Sequence, residues 1–316
     1  MKELRIDKIT DDLIIFAADR MKRPLDKSSH QIEEQEETEV YSEWCPFCRG
    51  NEKYTTDPIY EIRRDSDWFV RSVYNKFPII DESSTQIFGK HEVMVDTYRH
   101  NGSFYDMTEE EFEDMFIMYK NRYKSLIQEE KVEYVNIFKN FLRKAGASLM
   151  HPHSQIMSMS LVPPEVQNEL NIGLKYYKEN ARSLYSDIIK EELEHKSRVI
   201  YNGSSFIVIV PYATKYSGEI RVIFKDGVKF ENLTDADLKE ISTTFNKLFK
   251  NIYEINGYMP FNLCFHTHPK NIDSMDYYNS HIHIIPRRFN FGGFELGADV
   301  HVSSIDAEEL ASALMI

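Results

Sequence analysis

The chain has 316 residues, 20 Phe and 19 Tyr, and a formal net charge of −13, enough chain for one large domain or two modest ones with ample core. Its acidic balance excludes a broad basic face for nucleic acid, so any phosphate site has to be a local basic pocket. Three cysteines exclude a disulfide framework, and the absence of an apolar leader or a membrane-length apolar window gives the expectation of a reduced, soluble, cytoplasmic protein.

Near the start, 19-DRMKRP-24 is either a solvated patch or a place where Arg20 and Arg23 clamp a di- or polyphosphate. The acidic run 29–44 reads as a solvated loop. It leads into 45-CPFCRGNE-52, where two readings compete. A thioredoxin-like redox pair needs a strand before it and a helix straight after. Here Arg-Gly-Asn follows, which is turn chemistry. That context favours a zinc knuckle, with Cys45 and Cys48 supplying half a tetrahedron and histidines the rest.

Strand-like segments follow at 68–80 and 91–97. Thr108 and Glu111 form a capping box that opens a helix with Phe112, Met115, Phe116, Tyr119, Tyr123 and Leu126 at helical spacing. Next come a strand at 133–139 and 151-HPHSQIM-157. Residues i and i+2 of a strand share a face, so His151, His153 and Gln155 are expected side by side. A neutral imidazole is a good nucleophile toward activated phosphorus, and an adjacent Gln amide can donate to a phosphate oxygen as charge develops there. One histidine can complete the zinc site while the other attacks, with Pro152 fixing the backbone between them.

Residues 164–198 read as helical, with Leu170, Leu174, Tyr177, Leu184, Ile188 and Leu193 as the buried stripe. The second part then repeats the first. Strand-like 206–212 and 219–225 precede Thr234 and Asp237, which open a helix with Leu238, Ile241, Phe245, Leu248, Phe249 and Ile252 inward. An apolar segment at 261–265 and a second His-x-His strand, 281–287, follow. The two series predict an α+β fold built by internal duplication, divided as 1–163 and 164–316. His266, His281 and His283 with one carboxylate make a second metal site plausible, and spacing leaves His268 available as well.

Taken in order, several motifs resemble the galactose-1-phosphate uridylyltransferase family. This is a branch of the histidine-triad superfamily that includes ADP-sugar and dinucleoside-polyphosphate phosphorylases. The motifs are R-x-K-R-P at 20–24, C-P-F-C-x-G-N-E at 45–52, N-K-F-P at 75–78 and G-x-H-E-V at 89–93. Asn140, A-G-x-S at 145–148, H-P-H-S-Q at 151–155, the Pro163 to Glu169 spacing and histidines 266, 281 and 283 continue the series. The resemblance implies two histidine-triad-like halves, each an antiparallel sheet with packed helices, assembled as a homodimer. It implies zinc on Cys45, Cys48, His100 and His151, with His153 as nucleophile and Gln155 stabilising the transferred phosphoryl group. Asn75, Asn140, Ala147, Ser148 and Ser154 would line the substrate site, with Arg20 and Arg23 near the diphosphate. A second metal, zinc or iron, would sit on Glu169, His266, His281 and His283.

Two departures bear on the substrate. Ser154 stands where the uridylyltransferases typically carry glycine, and is more like the phosphorylases. At the sugar-binding end, Phe294 and Gly297 are retained, but Ala298 and Asp299 replace the expected Tyr-Glu pair. The implied reaction is ping-pong transfer of a nucleoside monophosphate from a nucleoside diphosphate sugar to a sugar phosphate or another phosphate acceptor. The competing readings are an ADP-sugar or dinucleoside-polyphosphate phosphorylase or hydrolase, a non-catalytic zinc-stapled nucleotide-binding module, and a redox protein.

Overall fold

The computed structural model describes residues 2–19, 38–288 and 290–316. The first strands are β1 (Lys2–Ile6) and β2 (Leu13–Ala17). β3 (Pro58–Arg64), β4 (Asp67–Tyr74) and β5 (His91–Val95) precede helix α1 (Glu109–Ile127). β6 (Tyr134–Phe141) and β7 (His153–Met159) follow. Then come α2 (Pro164–Asn180), α3 (Leu184–His195), β8 (Val199–Asn202), β9 (Phe206–Ile209) and β10 (Ile220–Phe224). Helix α4 (Asp235–Asn256), β11 (Phe261–His266), β12 (His281–Pro286), α5 (Gly293–Ala298), β13 (Val300–Ser303) and α6 (Ala307–Leu314) complete the order.

The two long helices begin in the same way. Thr108 Oγ1 accepts from the Glu111 N–H at 3.2 Å, and the Glu111 carboxylate accepts from the Thr108 N–H at 2.9 Å. Thr234 and Asp237 repeat the exchange at the head of α4, at 3.2 and 2.7 Å. Each box satisfies two donors that a helix start otherwise leaves unpaired. The apolar stripes of α1 and α4 are buried as their spacing predicts. The helices meet through edge-to-face aromatic pairs such as Phe116 with Phe245, 5.0 Å between centroids, each adding about 0.5–1.5 kcal/mol beyond its buried area.

Several strand limits differ from expectation, among them 206–212, which ends at Ile209, and 91–97, which ends at Val95; two others bear on the site. The strand expected over 68–80 stops at Tyr74, because Asn75 Oδ1 accepts from the Phe77 N–H at 2.9 Å and turns the chain. The strand expected from 151 begins at His153. Pro152 has no N–H for the ladder, so pairing with β5 starts at Val95 opposite His153. His151 therefore lies outside the strand, and its ring is free to turn away from that of His153.

Among the described residues ten antiparallel strands form one sheet in the order β3-β4-β5-β7-β6-β11-β12-β10-β9-β8, and β1-β2-β13 form a smaller one. Helices α1 and α4 cover one face of the large sheet, packing on Ile137, Ile156, Leu263 and Ile282. Helices α2 and α3 cover the other face where the C-terminal strands lie, with Val166, Leu170 and Tyr185 on Ile207, Ile209 and Ile223.

The halves join where β6 pairs with β11, with Phe138 opposite Cys264. The next strands out pair in a similar way on both sides of this seam. Phe138 is opposite Gln155 in β7, and Cys264 is opposite His283 in β12. His283 stands beside Cys264 as Gln155 stands beside Phe138, and His281 faces His266.

Candidate active site and metal centres

Cys45, Cys48, His100 and His151 meet in a buried cluster, with one ligand atom from each within 4.8 Å of the others. Cys48 Sγ lies 3.3 Å from His100 Nδ1 and 3.7 Å from His151 Nδ1, and Cys45 Sγ lies 3.6 Å from His151 Nδ1. A tetrahedral zinc with Zn–S of about 2.3 Å and Zn–N of about 2.0 Å has S···N edges of about 3.5 Å, so the set fits a closed structural site. His151 Nε2 donates to the Thr97 carbonyl at 2.9 Å, which turns the Nδ1 lone pair toward the sulfurs. Burial holds His151 down at about 3, neutral as a ligand must be. Burial pushes the Cys45 thiol up to about 12. That is the opposite of an activated redox thiolate, and turns rather than a helix follow the pair. Bound zinc would cross-link the 45–51 loop to the segment carrying Thr97 and His100.

His153 is buried beside this cluster. Its Nδ1–H donates to the His151 carbonyl at 2.8 Å, so Nε2 carries the lone pair. Burial pulls its pKa below the ordinary imidazole value, and the hydrogen bond only partly offsets this. The ring of Phe47, from between the two cysteines, packs on it. Behind the strand, fully buried Lys139 donates to the His153 carbonyl at 3.0 Å and to Asp96 Oδ2 at 2.7 Å. Asp96 also accepts from Ser154 Oγ and from Tyr119 OH, each at 2.8 Å. Gln155 lies on the same face as His153, and its Oε1 accepts from His91 Nε2 at 2.8 Å. His91 belongs to the 89–93 motif. A Cβ on Gly89 would lie 1.9 Å from the Ser158 carbonyl, so only glycine lets that segment run so close to β7.

Glu169, His266, His281 and His283 form the second buried cluster. Glu169 Oε1 is 2.9 Å from His266 Nδ1 and 3.5 Å from His281 Nε2, while Oε2 accepts from Tyr278 OH at 2.9 Å. His281 Nδ1–H donates to the Asn279 carbonyl at 2.9 Å, and His283 Nδ1–H to Glu219 Oε1 at 2.8 Å. Their Nε2 atoms are buried and have no hydrogen-bond partner among the described residues. Two oriented, orphaned imidazole nitrogens beside a carboxylate fit a cation of the zinc or iron type. Burial pushes the Glu169 carboxyl up, but His266 and His281 outweigh it and hold it well below its ordinary range. His268 stands outside the cluster, its Nδ1 paired with Ser274 Oγ at 2.8 Å.

The remaining expected site residues divide. Asn140 lies at the end of β6 over the 145–148 loop, where Gly146 takes a φ of +97°. Ala147 and Ser148 follow it on that accessible loop. Asn75 lies against the His91 ring. Ser154 does not present its hydroxyl to this face: it alternates with His153 and points to Asp96 on the helix-covered side. Phe294 is half exposed on the surface helix α5. Arg20 and Arg23 lie outside the described residues. Sequence reasoning missed Lys139, Asp96 and Glu219, and it gave no role to His91 or Phe47 although both stand inside quoted motifs.

Two histidine-triad-like halves in one sheet, with residues 1–163 matching the galactose-1-phosphate uridyl transferase N-terminal domain, place the chain in the galactose-1-phosphate uridyl transferase family. Residues 83–316 also match a domain of unknown function, DUF4921. The ADP-glucose phosphorylase of Arabidopsis thaliana is 28% identical over 99% of this chain and 92% of that protein. The galactose-1-phosphate uridylyltransferase of Thermotoga maritima is 27% identical over 90% of this chain and 86% of that protein. The crystal structure of an ADP-glucose phosphorylase from Arabidopsis thaliana with bound ADP-glucose superposes with a TM-score of 0.86 at 27% identity, covering 99% of this chain and 98% of the other. Among the described residues no helix is long and apolar enough to cross a membrane.

Proposed function

We propose that the protein is a nucleotidyltransferase that cleaves a nucleoside diphosphate sugar through a covalent nucleotidyl-His153 intermediate. The observation that carries this is the 2.8 Å bond from His153 Nδ1–H to the His151 carbonyl, which leaves Nε2 unprotonated beside the Gln155 amide. In the first step Nε2 attacks the α-phosphorus. The bond from that phosphorus to the bridging oxygen breaks, and the sugar 1-phosphate leaves with both bonding electrons. In the second step an acceptor phosphate oxygen attacks the same phosphorus, and the N–P bond breaks to return neutral His153. Gln155 donates to the non-bridging oxygens as charge builds there. Asn140, Ala147 and Ser148 line the phosphate path. Zinc on the Cys45 cluster and a second metal on the Glu169 cluster hold the scaffold.

For the acceptor, the likeness to an ADP-glucose phosphorylase over nearly the full length of both chains supports inorganic phosphate. The product would then be a nucleoside diphosphate. A sugar-phosphate acceptor is the second reading, favoured by the uridylyltransferase relative. A homodimer belongs to the same reading, and sedimentation measures it.

The test is intact-protein mass spectrometry of wild type and His153→Ala, each incubated with ADP-glucose or UDP-glucose at neutral pH without acceptor. Wild type alone is expected to gain a nucleoside monophosphate, whose mass identifies the base. The washed adduct is then offered inorganic phosphate, a hexose 1-phosphate or buffer, and the released nucleotide names the acceptor. Near-normal turnover by His153→Ala sinks the covalent mechanism.

A further inference from the structure

A carboxamide beside a phosphate helps only when its NH2 end faces the anion; turned over, its oxygen repels the same charge. The two ends have nearly the same shape, so something else has to set the direction. Gln155 stands two residues from His153 on the same face of β7, and Asn140 lies near the end of the neighbouring strand β6. We infer that two hydrogen-bond relays fix their direction, one from His91 to Gln155 and one from Arg287 through Asn262 to Asn140. This makes His91, Asn262 and Arg287 positioning residues. The inference rests on the phosphate-handling role proposed above for Gln155 and Asn140.

Each relay starts at a group that can only donate. In the first, the Ile79 main-chain N–H lies 3.1 Å from His91 Nδ1, so Nδ1 must accept. A neutral imidazole then carries its proton on Nε2, which lies 2.8 Å from Gln155 Oε1. The Gln155 oxygen is taken, and its NH2 is the end left for a ligand. The Asn75 amide nitrogen lies 3.3–3.4 Å from both ring nitrogens of His91, against the same ring.

In the second relay the guanidinium of Arg287 has no acceptor. Its Nη1 lies 2.9 Å from Asn262 Oδ1, which makes Nδ2 the donor end of Asn262. That Nδ2 reaches Asn140 Oδ1 at 2.7 Å and the Ala145 carbonyl at 2.9 Å, both acceptors. Asn140 therefore accepts with its oxygen and turns its NH2 the other way, 3.5 Å from the Gly146 carbonyl, at the outer limit of a hydrogen bond. Asn262 stands directly opposite Asn140 where β6 meets β11. The C-terminal half thereby sets the polarity of a group in the half that carries the nucleophile.

Asn262→Asp tests this most directly. The carboxylate keeps its Arg287 partner but has no N–H for Asn140, whose amide must turn over. His91→Phe removes the other relay, and His91→Gln keeps one acceptor and one donor at that position. Two readouts are taken: AMP affinity by calorimetry, and single-turnover formation of the His153 adduct from ADP-glucose. Asn262→Asp and His91→Phe are each expected to weaken AMP binding and to slow adduct formation by about ten- to a hundredfold, below or near the loss seen on removing one oxyanion donor. The rate loss should fall on kcat more than on KM, with melting temperature and zinc content close to wild type. His91→Gln should recover most of the rate. AMP affinity and rate at wild-type levels in both Asn262→Asp and His91→Phe would overturn the relays, as would losses that merely track melting temperature. A wild type that forms no adduct, yet binds AMP with the same sensitivity to these variants, would sink the covalent mechanism and leave the relays standing.

Discussion

The ring of Phe47 lies 5.3 Å from that of His153 and 6.1 Å from that of His151, centroid to centroid. Phe47 sits between the two cysteines, so the loop that zinc would staple also packs against His153, the proposed nucleophile. Phe47→Ala is expected to retain zinc but lower kcat by roughly ten- to a hundredfold, the scale of an ångström-level misplacement. Elemental analysis beside steady-state rates checks this. Chelation should remove zinc and activity together, and loss of zinc without loss of rate would uncouple the two.

Lys139 and Asp96 form a pair with almost no exposure behind the His153 carbonyl. Lys139→Met leaves Asp96 buried without its counter-charge and should cost about 3–5 kcal/mol. Urea unfolding of Lys139→Met and of Lys139→Met/Asp96→Asn measures it. The double variant should regain most of the loss, because no buried charge is then unpaired.

Removing the carboxylate of the second cluster should separate the two metal centres. If both clusters bind metal as proposed, Glu169→Ala should lose the ion at His266, His281 and His283 and keep the one at Cys45, Cys48, His100 and His151. Metal stoichiometry before and after dialysis reads this out. Loss of both metals would mean that the clusters depend on each other.

Glu111 predicts part of the acid response. Its carboxylate accepts from Thr97 Oγ1 at 2.7 Å and Arg99 Nε at 2.8 Å, and so pins the segment that carries His100. Burial pushes its pKa up, but Arg99, the Thr108 N–H and Thr97 outweigh that and hold it below the ordinary value. A folded value below the unfolded one gives stability that is present above the unfolded carboxylate range, about 4.3. That stability is lost as pH falls through the folded value. Glu111→Gln should be less stable than wild type at neutral pH. Its unfolding free energy should also fall less steeply through the acid range, which denaturant titrations at stepped pH would show.

The helices were legible because caps and apolar stripes are local: Thr108, Thr234 and the aromatic stripes lie within a few turns of what they determine. The members of both metal clusters were legible only through motif order, since spacing alone left His268 in play. Strand alternation was enough to put Ser154 on the face opposite His153, yet motif reasoning assigned it to the substrate. That His281 would face His266 was not legible, because antiparallel register is decided by which strands pair. For the same reason nothing local announced that Asn262 would meet Asn140.

The seam between β6 and β11 also constrains how the chain is made. Until residues 261–264 leave the ribosome, the outer edge of β6 has no partner, and its unpaired N–H and C=O groups line one margin of the five N-terminal strands. The nascent N-terminal half is thus most open to pairing with a neighbouring chain while the second half is still being synthesised. A fragment cut short of β11 would carry every residue of the first metal cluster together with His153, and it would still expose the edge that draws copies of itself together.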